Sequence, residues 1–193
     1  MPLGRSFDFT TKEQRKRILK KRYALKYTLN LKSKLIRKWA SGKVLELGCG
    51  EFPEFEDSTK VDIARIRMKN YIRADLNKRL PLKTGFDTII ALEVVEHLHA
   101  ADTFLSECHR LLRKGGKLII STPNVKYWVN RLWLFFGNDR WFDTAGMDYY
   151  FFSPNSLKRT LEKHGFAVDE IKSVGRMKLV NLAGGFIVLA RKK

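Results

Sequence analysis

Apolar positions along the chain alternate between two spacings. Short runs at Val44–Leu47, Val61–Asp62, Tyr71–Asp75, Phe86–Leu92, Lys117–Thr122, Phe166–Val174 and Gly184–Ala190 read as strands. The stretch Thr88–Leu92 is apolar enough to be buried on both sides, as parallel strands are. Helical spacing falls between these runs. Residues 101–114 carry the stripe Phe104, Leu105, Cys108, Leu111 and Leu112, and Gly115-Gly116 ends it. An aromatic helix is predicted around Val125–Phe136. A further helix runs from Pro154 to Lys163, with Ser153 as its N-cap and Gly165 as its stop. Asn138–Ser153 reads as irregular. Strands alternating with helices predict a single doubly wound α/β sheet.

Two places break the pattern. Only 14 residues lie between Leu47 and Asp62. A parallel crossover needs at least about 10–12 residues, so the first crossover helix is expected to shrink to a turn, with Pro53 breaking it. At the front, residues 11–40 read as helical. From Leu25 onward, Leu25, Leu29, Ile36 and Trp39 share one face, with Leu35 at its edge. Thr28 and Lys32 interrupt that face. The expected division is a basic helical segment over 1–40 and a domain over 41–193.

Charge sharpens this division. Residues 1–43 hold 14 Lys/Arg against Asp8 and Glu13, a net of +12 out of the chain's +18. Such a bias favours an anionic contact, either a membrane surface or RNA. The bland alternative is a solvated cap helix. No apolar run approaches the ~20 residues of a membrane span, and no secretory signal is visible. Cys49 and Cys108 lie apart without metal-ligand spacing, which predicts free thiols, no metal and a cytoplasmic protein, peripheral at the membrane if the basic segment binds lipid.

The candidate chemistry starts at Lys43-Val-Leu-Glu-Leu-Gly-Cys-Gly50, a strand running into a glycine turn. Glycine lets a backbone approach a ligand closely. Glu46 disfavours phosphate there and suits a ligand with an ammonium group and a sugar diol. Three acids lie in order, each at or near the end of a strand: Glu46, Asp62 and Asp75. Further on come Leu80-Pro81, Phe86-Asp87, Glu93-Val-Val-Glu-His97-Leu, Arg110-Leu-Leu-Arg-Lys-Gly-Gly116 and Ser121-Thr-Pro-Asn124. In this order the chain resembles class I S-adenosylmethionine-dependent methyltransferases, of the small ubiquinone-biosynthesis and MetW-like types, over about residues 43–192.

The resemblance implies a Rossmann-like, mostly parallel seven-stranded sheet and S-adenosylmethionine as cofactor. It puts Glu46, Gly48, Cys49 and Gly50 on the methionine side of that ligand. It gives Asp62 the ribose hydroxyls, Asp75 with Leu76 the adenine, and Leu92 and Glu93 the sulfonium region. Ligands of such sheets sit beyond the carboxyl ends of the strands. The chain also departs from the family. Phe52 stands at the usual third glycine, and Asp148 stands where many relatives have a histidine. A dinucleotide-binding glycine set fails at Pro53.

The methyl acceptor is less determined by sequence. His97 is the candidate general base, or else a residue that packs at a helix start, and His99 lies nearby. Tyr149, Tyr150, Phe151 and Phe152 form either a lid or core. No Asn/Asp-Pro-Pro-aromatic motif follows the fourth strand, and the cysteines are misplaced for C5-cytosine chemistry. The expected function is methyl transfer to a small-molecule or lipid-linked acceptor. The alternatives are an RNA methyltransferase using the basic segment, and a non-catalytic binding module with the same fold.

Overall fold

The computed structural model describes residues 30–137, 148–174 and 179–193. Seven strands form one sheet: β1 (Val44–Leu47), β2 (Thr59–Asp62), β3 (Tyr71–Arg73), β4 (Phe86–Leu92), β5 (Leu112–Pro123), β6 (Phe166–Val174) and β7 (Gly185–Lys192). Their order is β3-β2-β1-β4-β5-β7-β6. All pairs are parallel except those made by β7, which runs antiparallel between β5 and β6. Strand order reverses between β1 and β4, which opens a crevice at their carboxyl ends.

The period-2 pattern of the central strands divides the core. Ile89 and Ala91 of β4, Leu118 and Ile120 of β5, and Val188 and Ala190 of β7 face one layer. That layer also holds helices α2 (Ala101–Leu111), through Phe104 and Leu105, and α4 (Pro154–Lys163), through Leu157 and Leu161. The intervening Ile90, Ile119, Ile187 and Leu189 face the other layer. There they meet Ile36 and Trp39 of α1, the helical residues 30–39. The described part of the basic segment is therefore packed on the sheet. The rest of the predicted N-terminal helix, residues 11–29, lies outside the described residues.

Several boundaries differ from the sequence reading. Helix α2 stops at Leu111, and the fifth strand begins at Leu112 instead of Lys117. Leu112 is already extended (ψ 143°) and pairs with Phe86, so sheet pairing overrides the helical stripe. The aromatic helix α3 is shorter than expected, Trp128–Phe135. Asn124 holds the preceding turn, accepting from Lys126 N–H through its side chain and from Tyr127 N–H through its backbone. β3 ends at Arg73, and the last strand runs on to Lys192, beyond the expected Ala190. The α4 limits match, and Ser153 and Ser156 form a reciprocal cap.

No helix spans the crossover from β1 to β2, as the short spacing predicts. Two buried side chains of opposite charge organise the turn that replaces it. The Glu46 carboxylate accepts from Glu54 N–H (2.6 Å), Phe55 N–H (2.9 Å) and Ser58 Oγ (2.5 Å). Lys60 Nζ donates to the carbonyls of Glu56 (2.7 Å) and Ser58 (2.8 Å). A turn without helical bonds must satisfy its backbone groups in some other way, and these two side chains do it.

Candidate active site

The glycine turn after β1 opens the site. Gly48 (φ 71°) and Gly50 (φ 55°) are both left-handed. A Cβ on Gly48 would lie 2.5 Å from Val94, so no larger residue fits there. Gly50 faces open space, with nothing within 4 Å of a Cβ built on it. Cys49 lies between them, and its thiol is pushed up to about 11, by burial first and then by the Glu46 and Asp62 carboxylates. It is a neutral thiol at physiological pH.

Asp62 ends β2 directly beside this turn. One carboxylate oxygen accepts from Gly50 N–H (2.9 Å) and the other from Ala64 N–H (2.9 Å). Each oxygen retains a second lone pair. Ala74 N–H donates to the Asp62 carbonyl (3.0 Å), and Arg73 Nε donates to Ile63 O (3.0 Å), so β3 fixes the loop that carries the acid. Asp75 follows β3, and one of its oxygens accepts from both Asn77 N–H (2.9 Å) and Asn77 Nδ2 (3.0 Å). Burial works against its ionised form, but the Asn77 bonds and the Lys78 and His99 charges outweigh it and hold the pKa below the usual carboxylate value. Leu76, next to it, is core.

Open space over Gly50, together with two partly exposed carboxyl groups at the same strand ends, fits a ligand rich in hydroxyl and amino donors. Glu46 is placed differently from the sequence reading. Both its oxygens are engaged by the 54–58 turn, so its carboxylate shapes the glycine loop from beneath.

Beyond β4 the chain turns sharply. Glu93 adopts φ 54°, a left-handed conformation unusual for a residue with a side chain. Its N–H donates to Ser121 O (3.0 Å), while its carboxylate accepts from Ser121 Oγ (2.7 Å) and Lys32 Nζ (2.5 Å). Lys32 is the residue that interrupts the apolar face of α1, and it is only 7% exposed. The break in the stripe is therefore an ion pair aimed at the site. Leu92 packs with the α1 layer just before the turn.

A 3-10 turn, Val95–His97, comes next. His97 ends it with an exposed ring, and Nδ1 lies 2.8 Å from Asp148 Oδ1. Asp148 pairs with the candidate base. The histidine side chain is 44% exposed. Tyr149 and Tyr150 are exposed while Phe152 is core, so the aromatic run is part rim and part core.

Glu96 was not singled out from sequence. It is 2% exposed, and neither carboxyl oxygen has a donor within hydrogen-bond geometry, while the Thr122 side chain favours its ionised form. Burial, then the Glu93 carboxylate and more weakly Asp148, push its pKa up to about 8. Its backbone carbonyl accepts from Tyr149 N–H (2.7 Å) and Tyr150 N–H (3.2 Å), tying the rim to the turn. The only signal in sequence was the i, i+3 spacing from Glu93.

A family model described as "Methyltransferase domain" matches residues 13–171. Among relatives, a "Probable S-adenosylmethionine-dependent methyltransferase" of Mycolicibacterium smegmatis is 33% identical over 108 residues, covering 47% of this chain and 42% of its own length. A "Ubiquinone biosynthesis O-methyltransferase" of Nitrobacter winogradskyi is 30% identical over 104 residues, covering 49% and 38%. The chain thus spans about two fifths of those relatives' lengths. Among solved structures, a "possible histamine N-methyltransferase" from Thermotoga maritima superposes with a TM-score of 0.67 at 19% identity, covering 89% of this chain and 92% of the other. The Burkholderia thailandensis 1,6-didemethyltoxoflavin-N1-methyltransferase, solved with its substrate and S-adenosylhomocysteine, gives 0.62 at 16% identity, covering 100% and 94%. At these identities the structural matches speak to fold.

Proposed function

Because this chain belongs to the methyltransferase-domain family, we propose that it moves a methyl group from S-adenosylmethionine to a small-molecule or lipid-linked acceptor. The observation that carries the donor half is the pair of acidic side chains, Asp62 and Asp75, beside the open glycine turn at the β1/β4 reversal. Asp62 accepts from the ribose hydroxyls with its remaining lone pairs. Asp75, with Leu76 beside it, takes the adenine amino group. The backbone of Gly48, Cys49 and Gly50 borders the methionine end, and Leu92 and Glu93 border the sulfonium. When bound, S-adenosylmethionine supplies an electrophilic methyl on sulfur, open to in-line displacement.

The acceptor half rests on His97. Asp148 accepts the Nδ1 proton and so selects the tautomer in which Nε2 is basic. Nε2 then takes the proton of an acceptor hydroxyl as it attacks. Lys32 and Ser121 hold Glu93 away from rotation, which keeps the turn that presents His97 in one conformation. Two named relatives methylate an oxygen in ubiquinone biosynthesis, which supports a hydroxyl on a small or lipid-linked molecule.

The test uses the purified protein, radiolabelled cofactor and cell extract divided into lipid, small-molecule and RNA pools. Label entering the lipid or small-molecule pool is expected, with His97→Ala slowing its entry about 10²–10⁴-fold. Label confined to RNA would replace the acceptor reading, and absence of cofactor binding by calorimetry would remove the donor reading.

A further inference from the structure

Helix α3 holds its apolar side chains in solvent. Trp128, Leu132, Trp133 and Leu134 are between 43 and 49% exposed, Phe135 83% and Phe136 71%. A surface helix ordinarily buries its apolar stripe. Here the only buried residue is Asn130. The base of the helix is firmly held. Asn124 Nδ2 donates to the carbonyls of Val180 (3.0 Å) and Ala183 (2.9 Å), and Val125 N–H donates to Phe152 O (2.9 Å). The exposed helix therefore projects from the carboxyl edge of β5, beside the segment that carries Asp148.

Charge says what this surface suits. From Thr122 to Gly137, at the carboxyl end of β5 and along α3, the charged residues are Lys126 and Arg131, both basic. Arg131 is exposed on α3 itself, and Lys126 precedes it. Pairing α3 with a second copy would bring two chains of net charge +18 together. Trp, Phe and Leu flanked by Lys and Arg, without acids, is the composition of a segment that lies in a headgroup layer. An eight-residue helix is about 12 Å long and lies in that layer without crossing it. Among the described residues no helix is long and apolar enough to cross a membrane.

We propose that α3 and Phe136 form an interfacial anchor that inserts into an anionic lipid surface and turns the crevice mouth toward it. The anchor stands independently of the methyl-transfer chemistry and differs from the basic residues 1–40, because it needs apolar contact as well as charge.

The test is vesicle flotation of the full chain with mixed phosphatidylglycerol–phosphatidylcholine vesicles, comparing wild type with Leu132→Ser/Phe135→Ser/Phe136→Ser. These side chains are exposed and the variant keeps every charge, so melting temperature and cofactor affinity should hold. Wild type should float with the anionic vesicles and bind phosphatidylcholine alone weakly, and the variant should lose about tenfold or more in affinity. Equal flotation of the variant, or equal binding of wild type to neutral vesicles, overturns the proposal. So does sedimentation showing a wild-type dimer that the three substitutions dissociate, since the face would then be a self-contact.

Discussion

The two sides of the crevice hold their charged groups by different means. On the β1–β3 side each carboxylate is held by donors close in sequence. Asp62 takes N–H groups 12 and 2 residues away, Asp75 takes Asn77, and Glu46 takes a turn 8 to 12 residues on. Past β4 the partners are remote. Glu93 is held by Ser121, 28 residues away, and by Lys32, 61 residues away. His97 meets Asp148 only after α2, β5 and α3 have intervened. Local loops can build a rigid half-site from one stretch of chain. The other half exists only when the whole sheet has closed, so its charges are more costly to disturb.

Four expected outcomes test this contrast. The largest concerns the remote side: His97→Ala should cut turnover about 10²–10⁴-fold with cofactor affinity unchanged. Single-turnover transfer into the responsive extract pool measures it, and wild-type turnover per folded molecule would remove the base from His97.

On the local side, Asp62→Ala deletes the hypothesised ribose acceptor and also frees Gly50 N–H. A charged hydrogen bond contributes about 1.5–3 kcal/mol, so a tenfold to hundredfold weaker cofactor affinity is expected by calorimetry. Unchanged affinity in a folded variant would end the ribose assignment.

Lys32→Met removes one partner of a long-range pair whose lysine is buried but whose Glu93 side chain is 39% exposed. Breaking a fully buried pair costs about 3–5 kcal/mol, and the partial exposure brings the expected loss nearer ~2 kcal/mol. Urea unfolding reads it. A loss no greater than that of a surface lysine would show that α1 does not help hold the turn.

The last expected outcome is a pH slope from Glu96. Its folded pKa, about 8, lies above the ordinary 4.5, so the folded protein keeps a proton that the unfolded chain releases. This contribution is full below the ordinary carboxylate value and is lost as pH rises through about 8. One proton gives a slope of at most ~1.4 kcal/mol per pH unit. Between pH 5.5 and 8.5, Glu96→Gln should flatten the fall in unfolding free energy. If both proteins have the same slope, Glu96 does not titrate in that range.

How much was legible in the sequence follows the same division. The strand limits of β1, β4 and β6, the short first crossover and the Ser153 cap were readable, because each depends on neighbours a few residues apart. The positions of Asp62 at the end of β2 and of Asp75 just past β3 were readable for the same reason. Lys32 read as a flaw in an apolar stripe, Glu46 as a group facing a ligand, and Glu96 as nothing in particular. A pattern records which faces are apolar but not which buried charge meets which. Tertiary structure alone brought Lys32 to Glu93, gave His97 its aspartate and left Glu96 buried without a donor. It also left α3 uncovered, although the same residues in sequence read as an ordinary aromatic helix. The physical reason is range: hydrophobic periodicity and capping act within a turn or two of chain. Pairing of buried charges and exposure of an apolar helix depend on where elements far apart in sequence come to rest.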